Sequence, residues 1–123
     1  MAIANDLMGV GMPAAQASLV GVNPAAVTAA GTAQTTATVL KANQTFVTLT
    51  TASSQDSVRL PTDAPLGTMY ILMNNSSTTA NVFPPSGAKI NNAADDAAVT
   101  ITVNLGRIFV RRSLTRWVSW VAA

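Results

Sequence analysis

The side chains that could carry out chemistry in this sequence are few, and every carboxylate among them is an aspartate. His and Cys are both absent, so the chain has no imidazole base, no thiol nucleophile and no Cys/His zinc site. Asp95 and Asp96 are the only adjacent carboxylates, and alanines flank them on both sides. A metal site or an acid–base pair needs further groups at matched spacing, and an aspartate-only hydrolase would need Asp56 and Asp63 to converge on this loop. We therefore expect a solvated loop at 95–96, with no catalytic residue, no metal and no cofactor, in a protein that is not an enzyme.

Four arginines lie within ten positions near the end of the sequence, Arg107, Arg111, Arg112 and Arg116. In a strand, Arg107 and Arg111 would point to the same face, whereas Arg112 would lie near a turn. The cluster could contact an acidic partner, but the favoured interpretation is structural pairing or pairing between subunits. The net charge of +2 rests on seven basic and five acidic residues, far from the dense basic stripe of a nucleic-acid-binding protein. We expect no nucleic-acid partner.

The sequence holds no pattern for secretion or for a membrane span. The first basic residue is Lys41, so the beginning of the sequence lacks the positive region of a signal peptide. Thr, Asn, Gly or Pro interrupts every apolar run well short of the length that crosses a bilayer. We expect no membrane partner.

Trp117 and Trp120 lie three positions apart, so a regular strand would point them to opposite faces. We expect one of them in the core and the other exposed or at an interface, with Trp120 as the candidate contact. Exposed tryptophan anchors protein contacts and also stacks on sugars. A sugar site usually gathers several aromatic side chains, and this chain has only two Trp, one Tyr and three Phe. A glycan-binding module would use a concavity near Trp120 or Tyr70.

Residues 1–23 predict a short helical N-terminal anchor. Asn5 and Asp6 suit a helix N-cap, Pro13 suits the first turn of a second short helix, and Gly21 would end that helix. Neither helix is long enough to be stable alone in water, so the apolar side chains must dock on protein. They either pack on the rest of this chain or anchor on a neighbouring subunit, which a long linker would favour. The apolar residues of this anchor are Leu7, Met8, Met12, Leu19, Val20 and Val22.

Residues 24–43 are rich in Ala and Thr and have almost no charge. This composition predicts a flexible linker, or an extended arm that lies along another subunit. Proline at a first helical position and runs of alanine also permit a helix over 24–30.

Residues 44–123 contain short β-branched and aromatic runs, separated by Asn, Gly and Pro turn signals. We expect a mainly β fold, a compact antiparallel β-sandwich or barrel-like domain behind the short helical arm. The run 68–73 is apolar at most positions and is the best candidate for a central strand. Strands are expected at 45–50, 57–60, 68–73, 80–83, 88–90, 99–103, 107–111 and 115–121.

Two parts of the sequence resemble small bacteriophage virion proteins. Residues 6–17, DLMGVGMPAAQA, resemble the opening of some phage head-associated proteins. A β module that recurs in phage capsid-decorating, fibre and other virion proteins is similar to residues 55–61 (QDSVRLP), 74–75 (NN), 82–91 (VFPPSGAKIN) and 107–110 (RIFV), with Trp117. The resemblance implies a non-enzymatic structural protein of the virion, often a homotrimer.

These observations lead to the hypothesis of a capsid decoration (cement) protein on the capsid surface. Many small contacts, repeated over many copies, would stabilise the shell by multivalency. The expected partners are the major capsid protein or another virion protein, and further copies of this chain, with a trimer favoured. The alternative is a fibre or head-surface module that recognises a host glycan or receptor. The candidate partner-binding residues are Leu7, Met8, Met12, Leu19, Val20, Val22, Arg111, Arg112, Arg116 and Trp120.

Overall fold

The computed structural model describes residues 24–51 and 53–122 of the chain. These residues contain ten β-strands. Strands take up 43% of these residues, and none of the described residues is helical. The mainly β fold expected from the sequence is confirmed. The strands are β1 (Pro24–Thr28), β2 (Thr38–Val39), β3 (Phe46–Thr50), β4 (Ser57–Arg59), β5 (Met69–Asn74), β6 (Ala80–Phe83), β7 (Lys89–Ile90), β8 (Val99–Ile101), β9 (Gly106–Arg111) and β10 (Arg116–Ala122).

The first six strands alternate between two sheets. β1, β3 and β5 lie side by side in a six-stranded sheet, and β2, β4 and β6 lie side by side in a four-stranded sheet. All of these neighbours pair in parallel. Pro24 pairs with Phe46, and Phe46 pairs with Ile71, so each turn of the chain stacks on the turn before it after about two dozen residues. This part of the protein is a stack of three coils, as in a β-solenoid.

The last four strands close the stack. β8 pairs antiparallel with β6, β9 antiparallel with β5, and β10 antiparallel with β9. β7 lies at the far edge of the six-stranded sheet, parallel to β10. The complete strand orders are β1-β3-β5-β9-β10-β7 and β2-β4-β6-β8.

One hydrophobic cluster lies between the sheets and includes residues from both. Alternate residues of β3 and β5 point inward, so Val47 lies beside Leu72 in the parallel register. Val58 and Val82 form the matching pair in the four-stranded sheet. Burying an aliphatic side chain of this size contributes about 1.5–3 kcal/mol, so these stacked pairs hold the coils together. The largest fully buried side chains are Trp117, Tyr70, Phe109, Leu40, Leu49, Leu60, Leu72, Ile90, Ile101, Val47, Val58 and Val82.

The strand pairing differs from the antiparallel sandwich or barrel expected from the sequence. The connections after β1, β3 and β5 carry the chain into the other sheet instead of folding it back as a hairpin. Asn, Gly and Pro mark both kinds of turn, so their positions do not distinguish a corner from a hairpin. A stack of coils therefore replaces the sandwich or barrel, and antiparallel pairing is confined to the closing strands and their neighbours.

Residues 24–43, for which the composition predicts a linker or an extended arm, form the first coil. β1 pairs with β3 along its whole length, and β2 pairs with β4. The strand at 24–28 also takes the place of the helix that the sequence permits there. The β domain thus includes Pro24 and the residues after it, rather than beginning at residue 44. The helices predicted for residues 1–23 lie outside the described residues.

Gly31 shapes the corner between β1 and β2. Its φ of 73° lies in the left-handed region. A Cβ at this position would lie 2.7 Å from the carbonyl oxygen of Thr36. The amide and the Oγ1 of Thr36 both donate to the Ala33 carbonyl, at 3.1 Å each, so Thr36 is held in place. The corner therefore has no room for a side chain at position 31.

We expect Gly31→Ala to lower the free energy of unfolding by about 2–4 kcal/mol, since it adds overpacking to a left-handed backbone. Gly87→Ala is the matched control, because Gly87 has a φ of 81° but no atom within 4 Å of the added Cβ. Gly87→Ala should lower the free energy of unfolding by only about 1–2 kcal/mol. Urea unfolding followed by circular dichroism measures both values, and equal losses would contradict the steric role of position 31.

Candidate interaction surface

The outer face of the six-stranded sheet carries large apolar side chains. Alternation in β3 and β5 turns Phe46, Met69 and Met73 away from the core, and Trp120 lies on the same side of β10. These four side chains are 40–48% exposed. A soluble protein rarely leaves a contiguous apolar area of this kind open unless the area binds something. We call this surface the apolar face.

A straight row of side chains crosses the apolar face. Phe46 pairs with Ile71, Ile71 with Ile108, and Ile108 with Trp120, so the four residues lie side by side on adjacent strands. Since neighbouring strands are about 4.8 Å apart, the row is about 14 Å long. We call these four residues the apolar row. A second row beside it consists of Met69, Val110 and Val118.

Charge is confined to one edge of the apolar face. The described outward positions of β1, β3, β5 and β9 hold no charged residue. Arg116 and Lys89 pair in register where β10 meets β7, at the far edge. The Nζ of Lys89 lies 3.5 Å from a carboxylate oxygen of Asp95, in an exposed ion pair. A partner that covers the centre of this face would not have to neutralise or desolvate a charge.

The outer side of the four-stranded sheet has a different character. Asn81 and Thr100 are neighbours there, and Arg59 lies beside Phe83. The Nη1 of Arg59 also donates to the Gln34 carbonyl at 3.4 Å. This side therefore mixes charged, polar and apolar groups, and the two sheets present distinct surfaces.

The two tryptophans lie on opposite sides of β10, as the sequence predicts. Trp117 is fully buried, with its ring centroid 5.7 Å from that of Tyr70, whereas Trp120 is 46% exposed. Tyr70 is also buried, and its hydroxyl donates to the Ala42 carbonyl at 2.8 Å. Burial, with a smaller contribution from the charge of Asp63, raises the pKa of Tyr70 above its usual value. Trp120 is thus accessible to a partner, and Tyr70 is not.

Arg111 is a core residue and not a surface contact. It is 6% exposed, and its Nη1 donates to the carbonyls of Thr62 and Ala64, at 2.7 and 2.6 Å. Its Nη2 donates to the Leu114 carbonyl at 3.3 Å, and the guanidinium lies 5.9 Å from the centre of the Trp117 ring. The side chain ties the loop after β4 and the turn before β10 to the core. Burial therefore takes Arg111 out of the surface that a partner could reach.

Of the other three arginines in the C-terminal cluster, one points inward and two are accessible. The Nε of Arg107 donates to Ser119 Oγ at 2.6 Å, and burial lowers the pKa of its guanidinium. Arg112 is exposed after β9, Arg116 is half-buried at the start of β10, and the Arg112 amide donates to the Arg116 carbonyl at 3.0 Å. Of the predicted cluster, Arg112 and Arg116 stay accessible, next to each other and near the edge of the apolar face.

The aspartates serve the local structure of loops. The Oδ1 of Asp96 accepts two hydrogen bonds, from Gln34 Nε2 at 2.9 Å and from the Gly87 amide at 2.7 Å. The same Gln34 amide nitrogen donates to the Pro84 carbonyl at 2.8 Å, so the first corner is tied to the turn between β6 and β7. The hydrogen bond from Gln34, followed by that from Gly87, lowers the pKa of Asp96. Within the described residues, no group of three or more His, Cys, Asp or Glu side chains could hold a metal ion.

A cleft of about 200 Å³ lies near the inward-facing Arg107. It is lined by Thr100, Thr102, Leu105, Arg107 and Val121, among others. Sites for small organic ligands usually measure about 300–1,000 Å³. The cleft therefore gives little support to a cofactor or sugar site.

Several residues of the apolar face are not among those predicted from the sequence. Phe46, Ile71 and Ile108 have no unusual residue type or motif, and they become a row only through the strand pairing. The one sequence feature that points to the apolar face is the apolar character of both faces of residues 68–73, which predicts a strand covered on both sides. The structure buries only one side of this strand. The N-terminal candidates Leu7, Met8, Met12, Leu19, Val20 and Val22 lie outside the described residues.

The sequence matches no protein-family model and no curated protein. Among the described residues, no helix has the length and apolar character needed to cross a membrane.

We expect Arg111→Met to lower the free energy of unfolding by about 2–4 kcal/mol, because it leaves the buried carbonyl of Ala64 and the partly buried carbonyl of Thr62 without their donor. Arg112→Met is the matched control on an exposed neighbour and should change stability by less than about 0.5 kcal/mol. Guanidinium unfolding monitored by tryptophan fluorescence measures both. A loss for Arg111→Met no larger than that of the control would contradict its role in the core.

Asp96 should make the protein sensitive to acid. Its folded-state pKa lies below the unfolded value, so its contribution to stability is complete above a pH of about 4 and is lost as the pH falls through the folded-state pKa. Asp96→Asn keeps the acceptor oxygen and suits the φ of 63°, but it removes the charge. We expect the stability of this variant to fall less steeply than that of the wild type below a pH of about 4, in urea titrations at several pH values.

Asp95→Asn is the control for this measurement. Its carboxylate takes part in an exposed ion pair with Lys89, which should add little to stability. The pH dependence of this variant should therefore follow the wild type. If Asp96→Asn also follows the wild type, its two hydrogen bonds do not depend on the charge.

Proposed function

We propose that this protein is a structural component of a bacteriophage virion, which decorates the capsid and stabilises the shell through many small contacts. Its role is non-enzymatic, and its partner is the major capsid protein or another virion protein. The apolar face and the N-terminal segment, residues 1–23, are the parts of the chain that contact protein. The partner class rests on the resemblance of residues 6–17 and 82–91 to phage virion proteins.

The apolar face is the observation that carries this proposal. It is built on strands that the core holds in place, and its centre has aromatic, Met and Ile side chains without charge. Protein interfaces show this composition, with aromatic residues and Met enriched and charged residues depleted at the centre. An apolar surface spread over several adjacent strands fits another folded protein better than a small ligand, which needs a concave site.

The size of the face favours repeated contacts over a single tight one. A row about 14 Å long covers less than the roughly 800 Å² per partner of a standard protein interface. One such contact would be weak, but a homo-oligomer, with a trimer favoured, would present several of them at once to a symmetric shell. Linked contacts of this sort bind far more tightly than each contact alone. Arg112 and Arg116 at the edge of the face would add polar contacts at the rim.

Trp120 favours one alternative function. Its exposed ring could stack on a sugar, which would make the protein a fibre or head-surface module that recognises a host glycan or receptor. The side chain that faces Trp120 on the adjacent strand is the aliphatic Ile108, and Tyr70 is buried, so neither of these residues offers an exposed second aromatic ring. A glycan array with the purified protein tests this alternative, since a decoration protein should give no binding.

The main proposal is tested by occupancy on capsids. Phe46→Ser removes an exposed apolar side chain from the apolar row, and Phe83→Ser makes the same substitution at a half-buried position on the outer side of the four-stranded sheet. With phage particles that lack the protein, we expect Phe46→Ser to reduce bound copies at least threefold, because each contact loses apolar area about equal to one phenyl ring. Co-sedimentation and electron cryomicroscopy of the particles measure the occupancy.

Two controls make this experiment decisive. Circular dichroism establishes that both variants are folded, and Phe83→Ser should keep nearly the occupancy of the wild type. Full occupancy for a folded Phe46→Ser protein would rule out the apolar face as the shell-binding surface. No binding of the wild type, together with a specific glycan on the array, would favour the alternative function.

A further inference from the structure

The chain enters the six-stranded sheet at one end of the apolar row. Pro24 is the first residue of β1, the edge strand, and it pairs with Phe46, the first residue of the row. Residue 23 is therefore bonded to a strand that lies about 4.8 Å from the row. Because β1 begins at Pro24, no stretch of linker separates residues 1–23 from the sheet.

The composition of residues 1–23 complements the apolar face. Asp6 is their only charged residue, and their large side chains are almost all aliphatic or Met. The centre of the apolar face is also uncharged, so contact between the two would bury apolar area without isolating a charge. The members of the segment that could make this contact are Ile3, Leu7, Met8, Val10, Met12, Leu19, Val20 and Val22.

The segment is long enough to cover the whole row. Trp120 lies four strands away from β1, at a distance of about 19 Å. About six extended residues, or about thirteen residues of α-helix, span this distance. Residues 1–23 exceed both lengths, so either conformation allows them to reach the far end of the row.

We infer that residues 1–23 lie across the apolar face of their own chain, along the apolar row. Attachment at Pro24 holds the segment beside the row at an effective concentration in the millimolar range. A second copy of the chain would have to be present at millimolar concentration to compete for the same face. A long linker would have favoured a neighbouring subunit, but residues 24–43 form the first coil, with β1 and β2 paired in the two sheets. The inference concerns the free protein and goes beyond the proposed function. Where it is combined with that function, the shell has to displace the segment before it contacts the face.

Engineered disulfides test this placement in the full-length chain, which has no cysteine of its own. Four double variants combine Leu19→Cys or Val20→Cys with Ile71→Cys or Ile108→Cys. A disulfide forms only where two Cα atoms come within about 7 Å of each other, so the pairs report proximity. The control pairs combine the same segment positions with Asn81→Cys, on the outer side of the four-stranded sheet. Mild oxidation, non-reducing electrophoresis and mass spectrometry of the linked peptides identify the products.

We expect at least one of the four pairs to form a disulfide within a single chain, in more than half of the molecules, and the control pairs to form almost none. Disulfide-linked dimers in place of the intramolecular product would overturn the inference and assign the face to the segment of another copy. Failure of all four pairs, or equal linkage of the control pairs, would also overturn it.

The exposure of Trp120 provides a second readout without cysteines. Trp117 is fully buried, so acrylamide quenching reports mainly on Trp120. Leu19→Asp should release the segment from the apolar face and at least double the quenching constant, whereas Ser18→Asp adds the same charge at a polar neighbouring position and should change it little. Equal quenching in Leu19→Asp and the wild type would contradict the placement.

These experiments use the free protein, whereas the proposed function is tested by occupancy on capsids. A protein that binds capsids but forms none of the disulfides would keep the function and lose the inference. A protein that forms the disulfides but never joins particles would do the reverse.

Discussion

Parallel hydrogen bonding between successive coils is the interaction on which the rest of this structure depends. Each of β1, β3 and β5 obtains its backbone partners from the coil beside it, and the same holds for β2, β4 and β6. This register places Val47 beside Leu72 and Val58 beside Val82, so the core grows as coils are added. Asn74 closes the last coil, since its buried amide donates to the carbonyls of Thr78 and Ile101. A coil that lost its register would lose its backbone partners and its core contacts together.

The same stacking creates the apolar face but does not explain its composition. A sheet with one buried side must turn alternate residues outward, and these positions tolerate polar residues. Asn81 and Thr100 are examples in the other sheet. The six-stranded sheet instead has Phe46, Ile71 and Trp120 at such positions. Folding alone does not require large apolar side chains there. Their presence is best explained by a protein surface that covers them, from the same chain, another copy or a shell.

The positions of the strands after residue 44 could be predicted from the sequence, but those of β1 and β2 and the pairing of all the strands could not. Local runs such as 46–50 have alternating burial that β-branched and aromatic residues reveal, and the separation of Trp117 from Trp120 follows from the period of two. Which strands become neighbours depends on whether each turn is a hairpin or a corner, and the turn residues are the same. The burial of Arg111 was equally hidden, because the carbonyls of Thr62 and Ala64 meet it only after three coils have stacked. Residues 24–43 have small side chains whose strand character comes from pairing and not from propensity.

Because β1 begins at Pro24 within the first coil, the residues before it are attached directly to the sheet and not to a free linker. An anchor on a free linker would sample a large volume. When such an anchor binds a neighbouring subunit, the main free-energy cost is the lost conformational entropy of the linker. With the placement that we propose, a segment attached at the edge of an apolar sheet instead meets its own face first, with almost no loop to close. Under the proposed function, contact with a shell would then be an exchange, in which the shell takes the place of the segment on the apolar face. Under the proposed function the net gain from each exchange would be small, so stable attachment would require many copies that bind together, as on a symmetric capsid.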